Sequence, residues 1–76
     1  MGVSGYAFAV TPSDDTNFNS GCRYLYVGTG GDINVATSFN GDNVIFYNVP
    51  GGSQIFVAAA RVNNTNTTAS NIIALV

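Results

Sequence analysis

Apolar and polar residues alternate over short stretches of this chain, and no stretch repeats them at the spacing of a helix between plausible caps. Residues 6–10 read Tyr-Ala-Phe-Ala-Val, which places Tyr6, Phe8 and Val10 on one face of a strand. Thr11-Pro12-Ser13-Asp14 ends it: Pro12 fixes φ at a turn position, and Ser13 or Asp14 can bond back to the backbone. Residues 15–21 are a polar loop with one anchor, Phe18. Residues 23–29 form the second predicted strand, with Tyr24 and Tyr26 on one face and Leu25 and Val27 on the other. Both faces can bury surface, so a partner is expected on each.

Gly30-Gly31 reads as a tight turn. Residues 32–39 and 42–49 flank Asn40-Gly41, the strongest short-range hairpin signal a sequence offers. In that hairpin Ile33, Val35 and Thr37 are expected to share a face, as are Ile45, Tyr47 and Val49 in the partner strand. Pro50-Gly51-Gly52 turns the chain again. Residues 54–62 are the longest predicted strand; Phe56 points away from Ile55 and Val57, and Ala58-Ala59-Ala60 leaves room for a close neighbour. A polar loop over residues 63–71 leads to a last strand, 72–76, whose apolar run implies that it is paired. About six short strands at this spacing predict an all-β fold, a small antiparallel β-sandwich or barrel. Residues 1–76 are expected to form a single β domain.

Composition sharpens the picture. The hydrophobic fraction of 46% is that of a folded domain. Charged residues make up only 8%, two arginines and four aspartates, so Ser, Thr, Asn and Gly must form the surface. Little charge keeps copies apart, and so short a chain buries a modest fraction of its surface; both favour assembly, most plausibly a trimer or pentamer. Two arginines cannot supply the basic patch that nucleic acid needs. No apolar run is long enough to span a bilayer as a helix, and no basic residues precede the first one as in a secretory signal. No nucleic-acid or membrane partner is expected.

Candidate chemistry is sparse. Without histidine the usual general base is missing, and no Ser is accompanied by a base. Asp14-Asp15 makes a poor acid–base pair, since adjacent side chains on an extended loop point different ways. The expectation is a protein with no catalytic residue, no cofactor and no metal. The residual metal candidate is a Ca²⁺ loop drawing on Asp14, Asp15, Asn17 and Asn19, which lacks the Gly and final Glu of an EF-hand. Cys22, the sole cysteine, rules out an internal disulfide and reads as a small, partly buried apolar residue.

The aromatics carry more. Four tyrosines and five phenylalanines exceed what one thin sandwich core accommodates. The surplus belongs in subunit contacts, where Tyr joins apolar area to a polar handle. The candidate interface residues are Tyr6, Phe8, Phe18, Arg23, Tyr24, Tyr26 and Arg61. Each arginine is expected to pair with an Asp or a carbonyl across a contact. A carbohydrate-binding aromatic platform is the competing reading, weakened by the absence of Trp.

The order Thr11-Pro12-Ser13-Asp14, Arg23-Tyr24-Leu25-Tyr26-Val27-Gly28-Thr29, Arg61-Val62 and Thr67-Thr68-Ala69-Ser70-Asn71-Ile72-Ile73-Ala74-Leu75 resembles the small head-spike base proteins of tailed phages and gene transfer agents. The resemblance spans nearly everything from Val10 to Leu75. It implies a short, all-β, non-enzymatic protein on the capsid surface of a virion, made in the host cytoplasm. It also implies a role as cement, decoration or base of a head spike or fibre, with the major capsid protein and a spike or fibre protein as partners. The chain departs from the common pattern at Thr16-Asn17-Phe18-Asn19 and at Ala58-Ala59-Ala60.

Overall fold

The structure of the chain is a computed structural model that describes residues 7–18, 22–37 and 43–76. Seven strands follow one another: β1 (Ala7–Ala9), β2 (Tyr24–Thr29), β3 (Gly31–Thr37), β4 (Asn43–Val49), β5 (Ser53–Ile55), β6 (Ala59–Asn63) and β7 (Ser70–Leu75). They build two antiparallel sheets, a four-stranded one in the order β1-β7-β2-β5 and a three-stranded one in the order β4-β3-β6. The predicted all-β fold forms, as a sandwich rather than a barrel and with seven described strands where about six were expected.

Its core lies between the sheets. Leu25, Val27, Ile55, Ile72 and Ala74 face inward from the four-stranded sheet; Ile33, Val35, Ala59 and Val62 meet them from the three-stranded one. Period-two alternation puts these residues on one side of each strand, and full burial of each large aliphatic stabilises the fold by about 1.5–3 kcal/mol. Phe8 and Val10 pack on the same core, as their shared face predicts. Tyr6 and the Asn40-Gly41 turn lie outside the described residues, although β3 and β4 on either side of that turn do pair.

The structure corrects four expectations. Residues 54–62 are not one strand: β5 belongs to the four-stranded sheet and β6 to the three-stranded sheet, and Phe56, Val57 and Ala58 carry the chain between them. Apolar residues continue through the crossing because it runs along the core edge, where Val57 packs. Gly30-Gly31 is likewise a crossing between sheets, and Gly31 already begins β3. A Cβ on Gly30 would lie 2.6 Å from the Val49 carbonyl oxygen and 2.8 Å from the Gly51 nitrogen, so only glycine fits between them.

The third correction concerns the inner face of β4. Phe46 stands opposite Ile33 and packs on the core, whereas Ile45 stands opposite Asn34 and Tyr47 is exposed. Val49 nevertheless reaches the core. The register shifts between Gly31 and Ile33, and Asn48 adopts a left-handed φ of 55°. This bulge switches the inward face between Phe46 and Val49, which simple alternation cannot place on one side. The polar loop also proves shorter than expected, because Asn63, Ser70 and Asn71 continue the strands on either side.

Candidate assembly surface

The two outer faces of the sandwich differ sharply. On the three-stranded sheet, Asn34, Asn63 and Ala36 are buried although they face away from the core. The chain covers them itself. The Asn34 side-chain amide donates to the Thr65 carbonyl at 3.0 Å, and Asn63 donates to the Asn43 side-chain oxygen at 3.0 Å. Arg61 donates from Nε to the Asn63 side-chain oxygen at 2.7 Å and from a terminal nitrogen to that of Asn17 at 2.8 Å. Arg61 thus pairs with amide oxygens of its own chain.

Two segments close this cover. The Ser13 N–H donates to the Val62 carbonyl at 2.9 Å and the Phe18 N–H to the Ala60 carbonyl at 2.7 Å, so residues 13–18 run along β6. Asp14 accepts two bonds from Thr65, pinning the turn after β6. The hydrogen bonds of Asp14 hold its carboxyl below the ordinary aspartate value of 3.8, those from Thr65 first. The oxygens of Asp14 and Asn17, considered above for Ca²⁺, are therefore engaged with Thr65 and Arg61. Asn19 lies outside the described residues.

Among the described residues, the outer face of the four-stranded sheet is largely apolar. Register and alternation place Ala7 and Ala9 of β1, Ile73 and Leu75 of β7, Tyr24 and Tyr26 of β2 and Gln54 of β5 on it. None of these is charged. An ordinary sandwich turns polar residues outward at these positions. Here Tyr26 is 38% exposed between Ile73 and Gln54, and Phe56 is 64% exposed. Phe56 covers Tyr24 with ring centroids 5.6 Å apart and planes tilted by 51°, which leaves Tyr24 buried by its own chain. A contiguous apolar patch of this kind marks a contact surface.

The sequence-derived interface residues divide accordingly. Tyr24 and Tyr26 share the apolar outer face; Arg23 stands exposed just before β2, its N–H bonded to the Leu75 carbonyl at 2.8 Å. Phe8 and Phe18 meet edge to face at 5.3 Å, half-buried against the core. Phe56, Ile73 and Leu75 were not singled out. The signal for the last two was present, since Ile72-Ile73-Ala74-Leu75 is apolar on both faces of one strand. Cys22 is buried in the core cluster, and burial pushes its thiol above the ordinary 9.0 against a smaller opposite pull from the Ala59 backbone.

A solved structure shares this architecture over nearly the whole chain. It is a chain of the capsid of a native gene transfer agent particle, computed with C5 symmetry. The two superpose with a TM-score of 0.84 at 32% sequence identity, covering 96% of this chain and 83% of the other. This chain belongs to that capsid protein's family. No family model matches the sequence, and no curated protein does. The kinship agrees with a surface of Tyr, Ile, Leu and Ala on a chain with few charges.

Proposed function

We propose that this protein is a capsid-associated structural protein of a virion or gene transfer agent, acting by self-assembly and by docking to other virion proteins. Kinship with a gene transfer agent capsid chain supports the virion location. The observation that carries the docking role is the uncharged outer face of the four-stranded sheet, centred on Tyr26, while the opposite face is covered by the chain's own loops. Within the virion, the base of a head spike or a decoration at the capsid surface fits such a subunit. One apolar face meets the major capsid protein, and a spike or fibre protein stands beyond it. The role is non-catalytic, consistent with a chain that has no histidine.

The test is made on purified particles. Quantitative mass spectrometry is expected to find the protein at a fixed copy number set by the particle's symmetry. Tyr26→Ala is expected to leave the protein folded and reduce its incorporation. A Tyr26→Ala protein that is incorporated normally but loses binding to surface glycan would instead establish the carbohydrate platform, with Tyr26 and Phe56 as its exposed rings.

A further inference from the structure

The cover of the three-stranded sheet rests on Asn34, in the middle of β3, beside Ile45 on β4 and Asn63 on β6. Asn34 is only 7% exposed although it faces away from the core, because the turn after β6 lies over it. The Asn34 backbone N–H donates to the Thr67 hydroxyl oxygen at 3.0 Å, and that hydroxyl donates in turn to the Asn63 carbonyl. Thr67 thus bridges β3 and the end of β6. The Asn34 side-chain amide holds the same turn two residues earlier, through the Thr65 carbonyl at 3.0 Å.

One atom in this network lacks a partner. The Asn34 carboxamide oxygen, Oδ1, is buried and accepts no hydrogen bond among the described residues. Buried polar atoms are nearly always satisfied, since an unmet one bears the full cost of its lost hydration. Turning the amide over gives no relief. It would set the oxygen against the Thr65 carbonyl, acceptor against acceptor, and lose the donor that now bonds there. Nor can a neighbouring hydroxyl swing towards Oδ1, because the Thr65 hydroxyl hydrogen is given to Asp14 and that of Thr67 to Asn63. The Thr65 and Thr67 N–H groups are likewise taken, by Asp14 and by the Asn64 carbonyl. The donors of both threonines are spent, while their hydroxyl oxygens keep lone pairs.

We propose that Asn34 Oδ1 is an internal hydration site, with one water molecule held between β3 and the 64–67 turn and donating a hydrogen to that oxygen. A water suits the place because it brings donors to where only acceptors remain, and an internal water bonds roughly two to four polar groups. Its second hydrogen has the hydroxyl oxygen of Thr65 or Thr67 to bond. A cation suits the place less well. It needs several oxygen ligands, carboxylates commonly among them, and both oxygens of Asp14 are already engaged with Thr65. The roof is thin, since Asn64, Thr65 and Asn66 are all exposed and Asn66 takes a left-handed φ of 64°. The water therefore exchanges as the turn lifts, without unfolding of the sheets. While bound, it ties the cover to β3 alongside the direct bonds of Thr65 and Thr67.

A high-resolution crystal structure of the full chain, beside water-selective NOE spectra of the isotope-labelled protein, tests the proposal. Both use the wild-type protein, so neither depends on a variant that folds. The crystal is expected to show one water about 2.8 Å from Asn34 Oδ1, beneath the 64–67 turn. In solution the Asn34 side-chain amide protons are expected to give a water cross-peak with the sign of a bound molecule, which water passing over the surface does not give. A protein group donating to Oδ1 overturns the proposal, and so does a cation at that position or a clear map with no density there. Absence of the bound-water cross-peak overturns it as well. None of these results touches the capsid reading, which the particle copy number decides separately.

Discussion

Asp14 holds Thr65 by two hydrogen bonds, one oxygen accepting from the backbone N–H at 2.9 Å and the other from the hydroxyl at 2.7 Å. The pair ties the segment along β6 to the turn after β6, far apart in sequence. Both bonds favour the charged carboxylate, so its folded pKa lies below the ordinary 3.8. A depressed carboxylate pKa gives stability that is present above the unfolded value and lost as pH falls through the folded one. Melting temperature is therefore expected to drop as pH falls below about 4, and Asp14→Asn to flatten that drop. A variant with the same acid slope as wild type would remove Asp14 from the account. Asp14→Asn is also expected to loosen residues 13–18 at neutral pH, read as faster exchange of the Ser13 and Phe18 amides.

Two glycines separate close approach from backbone conformation. Gly30 needs no left-handed φ but has no room, with backbone atoms of Val49 and Gly51 at 2.6 and 2.8 Å from a Cβ placed there. Gly52 has open space but a φ of 83°, at the turn where the Ser53 N–H donates to the Pro50 carbonyl at 3.3 Å. Chemical denaturation is expected to show Gly30→Ala costing about 2–4 kcal/mol, because backbone must move. Gly52→Ala is expected to cost about 1–2 kcal/mol through the left-handed conformation alone. Equal costs at the two positions would mean that the sheet crossing at Gly30 is looser than described.

Cys22 tests the compactness of the core directly. Its thiol is buried and its pKa is raised, both of which suppress the reactive thiolate. Alkylation by iodoacetamide near neutral pH is expected to be at least about tenfold slower in the native protein than in denaturant. Native labelling as fast as denatured labelling would place Cys22 outside the core cluster.

Alternation is a local property, and it made most strands legible. Leu25 and Val27 face inward with Tyr24 and Tyr26 outward because successive side chains on any strand point to opposite sides, whatever the strand pairs with. The uncharged composition, the missing histidine and the lone cysteine were likewise fixed before folding. Tertiary structure decided where a continuous apolar run changes sheet. Phe56, Val57 and Ala58 read as strand, yet they link β5 to β6 across the sandwich. It also decided the inner face of β4, since the bulge that brings both Phe46 and Val49 inward depends on register with β3. The outer face of the four-stranded sheet joins residues of β1, β2, β5 and β7, and the cover on the three-stranded sheet joins residues 13–18 to β6 and Asn34 to Thr65. Both depend on strand order, which is set by non-local pairing and burial between sheets rather than by any one segment's pattern.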